Sequence, residues 1–362
     1  MQPAFSSLRQ AVGYLLLLLV LLLLPVIVDR LGLLSRPNTY LAMPTATGDA
    51  FSYVDRQIFE KKTDLDIVFL GSSRIWADVA TPYVQQQLSA QLGREAQVIT
   101  LGSNMPGDDR NYVMLRDLLL HRKVKMVVLG INTEDFDKVS AARPYVWAYR
   151  FFNPGTDEML PGLPFRSQAT LYAEAVLGMP RQLLSLVRSN LVEKSEFSGS
   201  LGAHEFQAGF VNRVGGYDLS TFIPYAPPSP QVPVKDMIYS TESQQNFHFS
   251  GQAMLPYQKI FDQRIGQLLR QYHVHLVMIC LPHISESKDA TAEVITNWPA
   301  VYGQPVDVVG VPPVRLFGSM SDEDLKKLFY NPGHLNANGD IYFTHVITPA
   351  LIDIYARIEN HS

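Results

Sequence analysis

Several short segments of this chain carry residue types that could do chemistry on an ester or acyl group. Gly71-Ser72-Ser73-Arg74 follows the apolar run Ile67–Leu70, so two hydroxyls and a guanidinium stand where a strand ends. Gly102-Ser103-Asn104 and Gly130-Ile131-Asn132 close two more apolar runs, Leu281-Pro282-His283 closes another, and Asn331-Pro332-Gly333-His334 precedes the last helical stretch. A serine hydroxyl becomes a nucleophile when a base within hydrogen-bond reach takes its proton. The oxyanion it then creates needs donors placed in advance. The bland alternative for Gly71-Ser72-Ser73 is purely structural, with glycine turning the chain and serine capping a helix.

The elements that must position these residues read as an α/β alternation. Asp66-IVFLG, Gln97-VITLG and Lys125-MVVLG are apolar runs that each end in glycine. Between them, residues 81–92 and 108–120 have helical periodicity. Strands alternating with helices imply a parallel sheet covered on both faces. The rhythm breaks over 136–250, a proline-rich stretch with one expected helix at 167–192. An irregular segment of that length suggests a lid, here covering the strand ends and shaping an acceptor site. Alternation resumes with a helix at 251–272, a strand at 274–281, a helix at 291–302 and a last helix at 338–358. In open parallel sheets ligands bind beyond the carboxyl ends of the strands, which is where the segments above fall.

Those segments, in that order, resemble the SGNH (GDSL-like) hydrolase superfamily over roughly 64–132 and 251–358, with the insertion unmatched. The resemblance implies a three-layer, flavodoxin-like α/β sandwich. It implies Ser73 as nucleophile, His334 as its base, and Gly102 and Asn132 as the oxyanion donors. Gly-Ser-Ser in place of Gly-Asp-Ser, with an N-terminal anchor, is similar to the membrane-tethered branch that accompanies membrane-bound O-acyltransferases, as in teichoic acid D-alanyl transfer and alginate acetylation. The departure is Asn331, where the family has aspartate three residues before the histidine. Asparagine brings no negative charge to stabilise imidazolium, and in serine proteases an Asp-to-Asn change at the orienting position costs about 10⁴ in turnover. Another carboxylate orients His334, or Ser73 and His334 act as a slow dyad, or the site is silent and binds. A carboxylate beside His334 Nδ1 would favour an enzyme, and Asn331 or nothing there a silent protein.

Arg74 could hold a substrate carboxylate or phosphate, or pair with Asp78, and His283 could line the pocket or be a simple loop residue. His273-Val-His275 lacks the further ligands that a metal site needs, Cys280 reads as core, and the aromatic run 145–152 reads as insertion core. His204-Glu205 lacks the second histidine of a zincin helix. No P-loop or dinucleotide fingerprint is present, and no cofactor or metal is expected.

The chain has 362 residues, a formal charge of −4 and 18% charged residues, a low share that owes much to its first segment. No basic stripe points to nucleic acid. From Ala11 to Val28 an uncharged, leucine-rich run is long enough to cross a bilayer. Its length, and the lack of a small-x-small cleavage site, favour an uncleaved anchor over a secretory signal. Arg9 on one side and Arg30 and Arg36 on the other leave the orientation undecided by charge. A short tail before a large domain suits a signal anchor that exports the domain to the periplasmic side. The expected organisation is a transmembrane anchor at 11–28, a juxtamembrane connector at 29–63, and an α/β domain at 64–358 with its insertion at 136–250. The expected function is an extracytoplasmic O-acyltransferase or esterase acting on a surface polysaccharide. The alternative is a silent accessory protein that binds glycan or a membrane-bound O-acyltransferase.

Overall fold

The computed structural model describes residues 7–33, 35–41, 51–103, 107–131, 162–189, 224–239, 256–284, 298–331 and 333–361. In chain order the helices are α1 (Leu8–Arg30), α2 (Arg36–Leu41), α3 (Phe51–Asp55), α4 (Ser73–Asp78), α5 (Thr81–Leu92), α6 (Asp108–His121), α7 (Phe165–Ser189), α8 (Pro256–Gln271), α9 (Trp298–Tyr302), α10 (Pro313–Phe317), α11 (Asp322–Lys326) and α12 (Ala337–His361). The strands are β1 (Leu65–Ser72), β2 (Val98–Ser103), β3 (Val124–Ile131), β4 (Ile238–Tyr239), β5 (His275–Cys280), β6 (Val306–Val309), β7 (Phe329–Asn331) and β8 (His334–Leu335). The chain divides into two compact units: Met1–Pro44 with Tyr145–Ser195, and Thr45–Pro144 with Glu196–Ser362.

The first unit contains the apolar helix α1, whose stretch Leu8–Val28 has a mean hydropathy of 3.0 and is long and apolar enough to cross a membrane. Its leucines face outward as far as Leu23, and only toward its carboxyl end are side chains covered. There Val28 packs with Met179 of α7, flanked by Leu24 and Leu183. The helix expected in the insertion is therefore a companion of the apolar helix.

The second unit is an α/β domain on a six-stranded sheet ordered β2-β1-β3-β5-β6-β4. All pairings are parallel except that of β4, which runs antiparallel to β6 at one edge. Every residue of β1 is buried, as a central parallel strand requires. The register sets Gly71 level with Gly102, and Leu70 level with Leu129, so the carboxyl ends of β1, β2 and β3 come together. Helix α5 opens with Pro82 in its first turn and stops at Gly93, whose φ of 65° suits a residue without Cβ. Asn336 introduces α12, its Oδ1 accepting from the amides of Asn338 and Gly339. A core of aliphatic and aromatic side chains runs from Ile67 and Phe69 through Val277 and Ile279 to Phe343 and Ile347.

Strand β6 was not anticipated, because Val306–Val309 is short and abuts prolines. The expected helix at 291–302 is described only as Trp298–Tyr302. Two parts of the insertion are described. One is α7, and the other is residues 224–239, where Tyr225, Val232, Val234 and Ile238 pack on the core and β4 extends the sheet. The described residues of the juxtamembrane connector expected at 29–63 include α2, α3 and a π-turn at Arg56–Glu60.

Candidate active site at the carboxyl ends of the strands

Helix α4 begins directly where β1 ends. Ser72 is the residue before it, extended, and its hydroxyl accepts from the Arg74 amide at 3.3 Å. That is the capping role. Since Ser72 caps, Ser73 in the first helical position is released from it. Ser73 Oγ lies 2.8 Å from His334 Nε2, across 261 residues of chain. Both residues are buried.

Tight packing fixes the helix that carries Ser73. A Cβ on Gly71 or on Gly130 would stand 2.7 Å from Ile75 Cγ1, and a Cβ on Gly102 would stand 2.6 Å from Trp76 Cδ1. The glycines that end the first three strands therefore let the Ile75 and Trp76 side chains press onto the sheet. For Gly102 this is a packing role in addition to the expected oxyanion role.

The histidine is held from the other side. His334 Nδ1 lies 2.9 Å from Asn331 Oδ1, and the same oxygen accepts the Gly333 amide at 2.9 Å. A backbone N–H can only donate, so the atom it meets must be the amide oxygen of Asn331 and not its NH₂. That oxygen can only accept, so His334 carries its proton on Nδ1. Nε2 is then left as an acceptor for the Ser73 hydroxyl. Among the described residues Asn331, and no carboxylate, takes the place beside Nδ1.

Electrostatically the site favours neutral imidazole. Burial, followed by the electrostatic influence of Arg74 and then His283, lowers the His334 pKa to about 3. His283 is half-buried at the end of β5, near enough to exert this effect.

Arg74 takes the structural one of its two expected roles. It is buried, its Nη2 donates to the carbonyls of Leu281 and Pro282 at 2.8 and 2.6 Å, and its Nε lies 3.6 Å from Asp78. Asp78 in turn accepts the Leu335 amide at 2.8 Å. Arg74 and Asp78, one helical turn apart on α4, thus tie the serine-bearing helix to the end of β5 and to the residue after the histidine. Burial pushes the Asp78 carboxyl up to about 7, against the opposing pull of Arg74 and that amide. Burial raises the Asp340 carboxyl well above the ordinary range, and Asp78 lies near enough for its charge to add to that rise.

The sequence suggested the Arg74–Asp78 pairing but not its partners. Asp78 as a clamp on the histidine loop, and the Gly333 amide as the group that fixes Asn331, are backbone contacts without a sequence signature. His275 Nε2 pairs with Asp307 at 2.8 Å, and Cys280 is half-buried at the end of β5, less enclosed than a core reading implies. Asn104, Asn132, the aromatic run 145–152 and His204-Glu205 lie outside the described residues.

What the fold and these contacts define is an α/β protein with a mostly parallel sheet, a serine–histidine–asparagine arrangement at its strand ends in which the serine and histidine are buried, and an apolar N-terminal helix. No protein-family model matches the chain, and no curated protein is similar to it.

Proposed function

We propose that this protein is a membrane-tethered, serine-dependent acyl-transfer enzyme, an O-acyltransferase or esterase of SGNH-like type that works on hydroxyl groups of a surface polysaccharide outside the cytoplasm. The observation that carries this reading is the 2.8 Å contact of Ser73 Oγ with His334 Nε2, with the imidazole held in the tautomer that can accept the serine proton. The strand order β2-β1-β3-β5-β6 supports a flavodoxin-like, three-layer arrangement, in which the crevice at the reversal beside β1 is the expected ligand site.

In this mechanism Ser73 Oγ attacks the carbonyl carbon of an ester while His334 Nε2 takes its proton. Gly102 N–H and Asn132 receive the oxyanion. The tetrahedral intermediate collapses, the ester C–O bond breaks, and the imidazolium returns the proton to the leaving oxygen. A sugar hydroxyl, or water in hydrolysis, then attacks acyl-Ser73 by the same steps. Asn331 orients the ring but lends no charge, so imidazolium is less stabilised than beside a carboxylate.

A second reading, a silent accessory protein that binds glycan or a membrane-bound O-acyltransferase, is favoured by a specific observation: Asn331 stands where an orienting carboxylate would. Against it, the serine-protease Asp-to-Asn loss reflects the wrong tautomer, and here the Gly333 amide keeps the right one. The test is hydrolysis of p-nitrophenyl acetate, with fluorophosphonate labelling, by the purified full chain in detergent. The enzyme reading expects turnover and labelling in wild type, with both lost in Ser73→Ala. A wild type that neither turns over nor labels supports the silent protein, and a Ser73→Ala variant that keeps full activity refutes Ser73 as nucleophile.

A further inference from the structure

Helix α7 carries more apolar surface than its contact with α1 covers. Tyr172 Oη donates to the Leu22 carbonyl at 2.6 Å, and Met179 and Leu183 meet Val28 and Leu24. Beside this contact Phe165, Ala169, Ala173, Leu177, Pro180 and Leu184 are all exposed. Their steps of four and three residues place them in one stripe along the helix. Leu177 is 78% exposed and Phe165 85%. A stripe of this kind on a soluble surface would be unusual.

The place of the contact indicates what covers the stripe. Along α1, Leu22 to Val28 is the carboxyl-terminal part of the candidate span Leu8–Val28. At about 1.5 Å per residue, Val28 stands about 15 Å from the middle of that span, at the edge of a hydrocarbon layer about 30 Å thick. Leu22 stands about 6 Å from the middle by the same rise. A helix touching α1 between these levels lies at the depth of the outer acyl chains and the headgroup boundary. The exposed leucines of α1 just before this contact are continuous with it. The α7 segment also contains Arg166, Glu174, Arg181 and Arg188, a charge load that a spanning helix does not carry but an interfacial helix does.

We infer that α7 is a second membrane-contacting element, a helix at the headgroup–acyl boundary beside the end of α1 with its exposed apolar stripe in lipid. The inference rests on the reading of α1 as a membrane span. It gives the chain two attachments to one leaflet where α1 alone would give a single pivot. Apolar burial at the boundary supplies the attraction, and interfacial helices characteristically sink about 5–10 Å into this zone.

The test uses the full chain in a Cys280→Ala background, reconstituted into phosphatidylcholine–phosphatidylglycerol vesicles. A nitroxide is attached in turn to Leu177→Cys, Leu184→Cys, Leu18→Cys in α1 and Gln91→Cys on the α/β unit. Relaxation by oxygen reports lipid, and relaxation by a water-soluble nickel chelate reports solvent. The expected result is strong oxygen relaxation with loss of nickel relaxation at Leu177 and Leu184, matching Leu18 and opposite to Gln91. Nickel access at Leu177 and Leu184 while Leu18 stays protected overturns the inference and leaves the anchor standing. Exclusion of both reagents at Leu177 and Leu184 also overturns it, because protein and not lipid would then cover the stripe. Nickel access at Leu18 as well refutes the membrane span together with the inference.

Discussion

The proton on His334 Nδ1 is placed by Asn331 Oδ1, and Asn331 is placed by the Gly333 amide. Replacing Asn331 with aspartate keeps both acceptor contacts and adds the missing charge. A carboxylate at this distance raises a histidine pKa by about 1–3 units, so Asn331→Asp should stabilise imidazolium and raise turnover of p-nitrophenyl acetate. An unchanged or lower rate would mean that imidazolium formation does not limit the reaction. The same buried ring makes a stability prediction. Folding lowers its pKa from 6.5 to about 3. Between those values the unfolded chain binds a proton that the folded chain refuses, so this group's contribution is present above about pH 6.5 and is lost as pH falls. Asp78 acts in the opposite sense. Its folded pKa lies near 7 against 3.8 in the unfolded chain, so its contribution is present in acid and is lost as pH rises through that window. Because the two oppose each other, the useful measurement is a difference. The stability of wild type relative to His334→Gln should fall by about 2 to 3 kcal/mol between pH 6.5 and 4.5, read from urea unfolding in detergent. A difference that does not move with pH would show that His334 titrates normally.

Helix α4 is where the sequence was most and least informative. The apolar run into Gly71 announced β1, and the serines announced a helix start, so strand and turn were legible together. The resemblance chose Ser73 over Ser72, but the residues alone did not, because the choice depends on which hydroxyl faces the Arg74 amide and which faces a histidine 261 residues away. The glycines ending β2 and β3 were read from a strand-then-glycine pattern, but their contacts with Trp76 and Ile75 depend on how α4 lies across the sheet. Strand β6 and the pair β7 and β8 were missed because runs of two to four residues carry no period that separates them from loop. Gly102→Ala follows from the packing. Trp76 is fully buried and edge-on to Tyr53, so the indole has little room to yield. Overpacking of this kind costs about 1–3 kcal/mol. The expected outcome is a lowered melting temperature together with lost activity, because moving Trp76 moves α4 and Ser73 with it. A variant of normal stability and activity would show that α4 can shift away without harm to the site.

At the scale of the whole chain, the two units have different solvents in the proposed function. The α/β unit has an ordinary buried core and polar surface, while α1 presents its leucines outward over most of its length. Its flanking charges, Arg9 before it and Arg30 and Arg36 after it, do not choose an orientation. The proposed substrate does, because a surface polysaccharide is acylated on the outer side of the membrane. The α/β unit must then stand outside the cytoplasm, and the single cysteine, Cys280, leaves no internal disulfide that export would have to form. The measurement is proteolysis of intact spheroplasts expressing the full chain with a tag after Ser362. Added protease should remove the tag and degrade the α/β unit while a cytoplasmic marker stays whole. If the tagged domain is protected until the membrane is permeabilised, it faces the cytoplasm, and acylation of a surface polysaccharide falls with the exported orientation. The contact of Ser73 with His334 would then have to serve a substrate inside the cell.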